Sequence, residues 1–277
     1  MRLIDSHGHL NADRFEADVE LVVGAARLAG VERLMVPGWN ERSSERALEL
    51  VGHWPWIDAA VGVHPHDAAK VDADGWRRIT AWSRDDRVLA IGETGLDSDR
   101  MFSPWPDQLD NLRRNLALTL ETGKPAILHC RSKAGERDAQ DALVEELLAA
   151  GFDGDARRRA FGERPPAVIH SFSGPVDYAE TVVAMGLAVS FSGLVFRRGE
   201  EASADAAARV PADRLLVETD APFLTPPGGP RGRNEPSAVA ITARWAAERR
   251  GVGEDELGEA LVAAYDATFT RPRPRDG

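Results

Sequence analysis

Histidines and carboxylates fall in this chain where short apolar runs stop. His7-Gly8-His9 follows Leu3-Ile4, and His64-Pro65-His66 follows the apolar stretch 57–63. Glu93 comes just after Ala90-Ile91-Gly92, and His129 after Ile127-Leu128, with Arg131 two residues on. His170 follows Val168-Ile169, and Glu218 and Asp220 follow Leu215-Leu216-Val217. Neutral imidazoles and carboxylates are the preferred ligands of zinc, manganese and similar ions, so the chemistry these residues point to is metal-assisted. His7 and His9, two apart on an extended chain, turn their rings to the same side and can grip one ion. A carboxylate beyond a buried strand needs a partner. For Glu93 the alternatives are an ion pair with an arginine or a bridge between two cations. His129 and His170 also read, each alone, as hydrogen-bonded core histidines, and Asp220 as a turn cap.

The elements that must carry these residues are legible as periodicity. Eight apolar, partly β-branched runs recur, at 3–4, 33–36, 57–63, 88–91, 126–128, 167–169, 187–191 and 215–217. They are continuous rather than alternating, which suits parallel strands buried on both faces. Between them lie helical patterns at 15–29, 106–122, 141–150 and 175–185, several opening near a proline and stopping at a glycine. Strand alternating with helix eight times predicts an α/β fold, a closed (β/α)8 TIM barrel. An open doubly wound sheet is the rival, and no glycine-rich dinucleotide fingerprint follows the first strand to favour it. The arginine-rich segment 153–166 reads as a loop insertion, and 225–232 as a Pro/Gly loop after the eighth strand. A single barrel domain is expected over 1–269, with a frayed C-terminal tail over 270–277.

Composition narrows the field. The 277 residues are 43% hydrophobic and 29% charged, an ordinary globular balance that excludes a disordered chain, a coiled coil or a collagen-like fibre. No run of roughly 18 uncharged apolar residues occurs, so no membrane span is expected. Met1 to His7 carries no signal-peptide core and Cys130 is the only cysteine, which together suggest a cytoplasmic protein without disulfides. No obligate protein partner is indicated. The net charge of −11 is unusual for a protein that holds nucleic acid by charge alone, so a polyanionic substrate would need a local positive site. Of 34 basic residues only Lys70, Lys124 and Lys133 are lysines.

Active sites of (β/α)8 barrels lie at the carboxyl ends of the strands. In that fold five of the seven histidines, His7, His9, His64, His129 and His170, converge with His66 close by, and only His53 stands elsewhere. There are enough ligands for two divalent ions: His7, His9 and Asp220 on one, His129 and His170 on the other, Glu93 between. Two such ions stabilise attacking and leaving oxygens, acidify a water and supply the local positive charge that the composition lacks. Asp220 then serves as ligand and proton acceptor. Glu218 either orients a ligand, assists, or pairs with Arg214 or Arg233. His64 is surplus to the ligand count and either donates to a substrate oxygen or supports a ligand from behind.

The same residues lie in segments that resemble one family. Asp5-Ser6-His7-Gly8-His9-Leu10, Gly62-Val63-His64-Pro65-His66, Ile91-Gly92-Glu93-Thr94-Gly95-Leu96-Asp97, Leu128-His129-Cys130-Arg131 and His170-Ser171-Phe172-Ser173-Gly174 come first. The run from Val210 to Pro222 and Arg233-Asn234-Glu235-Pro236 complete an ordered set over Ile4 to about Phe269. The chain resembles the TatD family of metal-dependent deoxyribonucleases, within the amidohydrolase-like barrels. The resemblance implies a metal pair of magnesium, manganese or zinc held by His7, His9, Glu93, His129, His170 and Asp220. It also implies phosphodiester cleavage, often 3′ to 5′ on single-stranded DNA, with Arg131 and Arg233 (or Arg231) as candidate substrate contacts. Three features depart from the family. Ser98-Asp99-Arg100 stand where tyrosines are common, Asp266 where an asparagine is usual, and Leu112 and Asn115 where Phe and Gln are frequent. They bear on substrate preference and leave the metal ligands unchanged. Phe102, Trp105, Phe172 and Phe196 are candidates for stacking bases, with core packing as the other role for each.

Two rivals remain. One is a related barrel hydrolase acting on a lactone, phosphotriester, amide or aminoacyl ester; several of these bridge their metals with a carboxylated lysine, and Glu93 occupies that place here. The other is a non-catalytic barrel, which predicts a missing ligand where none is missing.

Overall fold

The computed structural model describes residues 1–270, so the expected tail lies, from 271 on, outside the described residues. Eight parallel strands form one sheet in the order of the sequence: β1 (Leu3–Asp5), β2 (Val31–Pro37), β3 (Ile57–Val61), β4 (Val88–Asp97), β5 (Ala126–Arg131), β6 (Ala167–Ile169), β7 (Ala188–Phe191) and β8 (Leu215–Val217). The sheet curls until its first and last strands meet. Ser6 N–H donates to the Val217 carbonyl at 3.1 Å, and Gly8 bridges to Ala221. The result is the expected (β/α)8 barrel, a single domain. Every residue of β3 and β4 is buried, as continuous apolar runs require.

Helices cover the outside: α1 (Val19–Leu28), α2 (Glu41–His53), α3 (Ala73–Trp82), α4 (Trp105–Thr122), α5 (Asp138–Ala149), α6 (Asp155–Phe161), α7 (Val176–Ala184), α8 (Glu201–Arg209), α9 (Val239–Arg250) and α10 (Glu254–Thr268). Their ends follow local chemistry. Asn40 caps α2 by accepting from Ser43 N–H while the Ser43 hydroxyl returns to Asn40. Gly123, at φ 67°, ends α4 in the left-handed conformation that a glycine adopts without strain.

Three expectations need adjustment. Segment 153–166, read as a loop, contains α6. Its polar composition hides a single apolar anchor, the buried Phe161, while Asp155 at its start and Arg158 near its end complement the helix dipole. The first helix starts later than 15, because Asp13–Phe15 forms a separate short turn that buries Phe15. Most relevant to function, β4 does not stop at 91 but runs to Asp97, so Glu93 lies within the strand. Gly95, at φ 142°, makes this possible: a Cβ there would collide with the carbonyl oxygen of His129 on the neighbouring strand. Among the described residues no helix is long and apolar enough to cross a membrane.

Candidate metal centre

The carboxyl ends of β1, β4, β5, β6 and β8 bring His7, His9, Glu93, His129, His170 and Asp220 together. β1 itself ends at Asp5, but the chain stays extended beyond it. Gly8 N–H donates to Met35 and His9 N–H to Ala221, and both imidazoles therefore turn inward. Their Nε2 atoms stand 3.1 Å apart. Asp220, at φ 54°, has its own N–H on the His7 carbonyl at 2.9 Å.

Glu93 is 3% exposed and its two oxygens face different partners. Oε2 is 3.3 Å from His7 Nε2 and 3.5 Å from His9 Nε2. Oε1 is 2.8 Å from His170 Nε2, 3.3 Å from His129 Nδ1 and 3.1 Å from His64 Nε2. Asp220 Oδ1 completes the first group, 3.4 Å from His9 Nε2 and 3.8 Å from His7 Nε2. His129 Nδ1 and His170 Nε2 are 3.4 Å apart in the second.

These spacings fit metal binding. Donor atoms on a tetrahedral shell of about 2.0–2.1 Å radius lie roughly 3.3–3.4 Å from one another, close to most of the separations in both groups. Imidazole nitrogen also faces imidazole nitrogen in both groups, an arrangement that a shared ion satisfies. Among the described residues, no lysine or arginine forms an ion pair with Glu93, Asp97, Glu218 or Asp220.

The carboxylates and imidazoles shift one another's proton affinities. Burial alone would raise the Glu93 pKa, but His170, His64 and His7, with a hydrogen bond from His129, hold it well below the usual carboxylate range. Burial opposes a charge on His170, yet Glu93 and Glu218 raise its pKa well above the ordinary imidazole value. His129 is likewise raised, because Asp97 and Glu93 outweigh its burial. His64 is pushed down to about 4 by burial and is neutral at pH 7. Asp220 is partly buried, which opposes its charge, but a hydrogen bond with His9 and the charge of the surrounding imidazoles lower its pKa.

A second layer sets the rings. Glu218 is fully buried and its Oε1 lies 3.2 Å from His170 Nδ1, the nitrogen facing away from Glu93. The ion pairs considered for it are made elsewhere: Arg214 binds Asp213, and Arg233 binds Asp18. Asp97 performs the same task for His129, with Oδ2 at 3.1 Å from its Nε2 and 2.7 Å from His66 Nε2. Asp5 accepts from Thr219 N–H and hydroxyl at 2.9 and 2.6 Å, tying the β1 and β8 ends together. Asp97 and Asp5 were not singled out from the sequence. The available signal was spacing: Glu93 and Asp97, four apart, share a face if the strand continues.

The remaining candidates divide. His64 lies inside the cluster. Arg131 is part-exposed at the end of β5 and donates to Asp99 at 2.8 Å. Arg233 is occupied within the protein, with Asp18 at 2.6 Å and Glu235 at 3.3 Å, its guanidinium 4.4 Å from the centre of the Phe15 ring; Arg231 is exposed. His53 ends α2 away from the site. Of the aromatic candidates, Phe172 is buried, Phe196 packs on Trp245 and Trp105 lies against the core, leaving Phe102 exposed at the mouth.

Barrel and donor cluster together define a metal-dependent hydrolase of the kind that builds its site on strand ends. Comparison narrows the class. Residues 4–270 match the family model described as TatD related DNase. A Bacillus subtilis relative described as an uncharacterized metal-dependent hydrolase is 34% identical over 255 residues, covering 92% of this chain and 94% of its own. The 3′-5′ ssDNA/RNA exonuclease TatD of Pectobacterium parmentieri is 35% identical over 264 residues, covering 93% and 95%. A crystal structure of a TatD homologue from Escherichia coli superposes with a TM-score of 0.84 at 28% identity, covering 98% of this chain and 99% of that one. The chain belongs to the TatD family, and it is an enzyme.

Proposed function

We propose that this enzyme hydrolyses phosphodiester bonds of single-stranded nucleic acid, DNA in the first place, from the 3′ end, using two divalent ions. The observation that carries the reading is the division of Glu93, with one oxygen toward His7 and His9 and the other toward His129 and His170. The first group, with Asp220, would hold one ion and the second the other. When bound, such ions acidify a water and offset charge on the phosphoryl oxygens. The imidazole-rich donor set favours zinc, while Glu93 and Asp220 supply the oxygen ligands that suit manganese or magnesium.

The protein's own groups do the rest. Asp220, held ionised, accepts the proton of the attacking water. Glu93 and the imidazoles would hold the ions, while Glu218 and Asp97 keep the His170 and His129 rings in the required tautomer. Arg131 faces the substrate, His64 supports Glu93 through Nε2, and Arg233 contributes by bracing the loop after β8 against Asp18. The named activity of the Pectobacterium relative supports the substrate class.

The test is metal analysis of purified protein followed by nuclease assays in added manganese, magnesium or zinc. Glu93→Ala and His129→Ala should each lower metal-dependent cleavage by at least about a thousandfold while circular dichroism stays native. Undiminished turnover in either variant would sink the mechanism. Cleavage of ester or lactone substrates in place of oligonucleotides would shift the substrate class and leave the metal centre standing.

A further inference from the structure

Among the described residues only two phenylalanine, tyrosine or tryptophan side chains are exposed: Phe102 at 60% and Phe223 at 53%. Both are at the mouth of the barrel. The Phe102 ring centre is 4.7 Å from that of His66, and the Phe223 ring centre 6.1 Å from that of His9, each edge to face. Phe102 follows β4 and Phe223 follows β8, strands half a turn apart around the barrel, so the two rings flank the donor cluster from opposite sides.

Two further observations make this placement more than chance exposure. Met101, directly before Phe102, and Leu224, directly after Phe223, both have left-handed backbone, with φ of 49° and 50°. Bulky residues enter that region only where the surroundings impose it, and such positions concentrate at functional sites. The loops thus hold apolar rings in water against the hydrophobic effect. In addition, a chain of net charge −11 gains little long-range attraction for a polyanion, so contacts to the bases would add to what the metal centre offers the phosphate. Aromatic faces stack on any base, provided that the base is free of its own helix.

We propose that Phe102 and Phe223 are stacking platforms for two unpaired nucleobases, one on each side of the scissile phosphodiester. The inference rests on the phosphodiesterase reading above and deepens it. The substrate must present a splayed end with a base on either side of the cut, and a paired end is excluded because its bases already stack within the duplex.

The experiment compares kcat/KM on a short single-stranded oligonucleotide with that on the same oligonucleotide made abasic on one side, or on the other, of the cleaved bond. The wild type should lose about tenfold or more for each abasic site. In Phe102→Leu the penalty for one abasic position should vanish, and in Phe223→Leu the penalty for the other. A purely structural role would slow all substrates alike and leave the ratios unchanged. Wild-type enzyme indifferent to the abasic sites, or variants that keep both penalties, would overturn the proposal. Failure of the wild type to cleave any oligonucleotide with any metal is a different result; it brings down the phosphodiesterase reading, and the platforms with it.

Discussion

Charged groups are buried at both ends of this barrel, and they are satisfied differently. At the amino-terminal end, Asp58 of β3 receives two arms of Arg33 from β2 at 2.7 and 3.0 Å and the Tyr265 hydroxyl from α10 at 2.7 Å. Arg33 keeps its charge at any working pH, so this cluster is closed. At the carboxyl-terminal end the charged partners of Glu93, Asp97, Glu218 and Asp220 are, among the described residues, imidazoles, whose charge depends on pH and on any ion bound. A buried carboxylate with a fixed cation locks structure. One whose counter-charge is exchangeable leaves a place for chemistry, at some cost in stability.

The contrast can be broken most directly at the closed end. Asp58→Ala should cost about 3 kcal/mol of unfolding free energy, since it strands Arg33 and the Tyr265 hydroxyl, yet activity per folded molecule should persist. Urea denaturation and an active-site titration would check it, and a nuclease-dead but stable Asp58→Ala protein would erase the distinction. At the open end the effects should be reversed. Asp97→Asn replaces the carboxylate that sets the His129 tautomer with a neutral amide, which can also present a donor, and should lower metal affinity or activity by about 10- to 100-fold, with little change in the denaturation midpoint. The smallest effect sharpens the idea of exchangeable charge. Glu93, Asp97 and Glu218 raise the pKa values of His170 and His129, and an imidazole must give up its proton before it binds an ion. Apparent metal affinity should therefore rise from pH 6 to pH 8, by about tenfold per unit for each proton displaced. Calorimetric titration in buffers of different ionisation heat measures that release directly; none detected would mean that the imidazoles are neutral beforehand.

Much of the molecule was legible beforehand because parallel strands buried on both faces must be continuously apolar, and a polar residue that ends such a run is conspicuous. His129 after Ile127-Leu128 and His170 after Val168-Ile169 stood out in this way. Asp97 did not, because the glycines around Glu93 read as the end of a strand that in fact continues through them. Phe223 was missed for another reason: the pattern 221–224 carries no sign of which side of the chain meets water. α6 escaped because one anchor, Phe161, is too few to make a periodicity.

Residue order and hydrophobic spacing by themselves determined eight strand-helix units, and with them the end of the barrel at which the histidines and acids collect. Only the tertiary structure decided which oxygen of Glu93 meets which imidazole, that Glu218 and Asp97 stand behind His170 and His129, and that Phe102 and Phe223 remain in solvent. Backbone periodicity is a local property written along the chain. The pairing of side-chain atoms across a barrel mouth depends on the curvature and stagger of strands far apart in sequence, and these exist only once the sheet has closed.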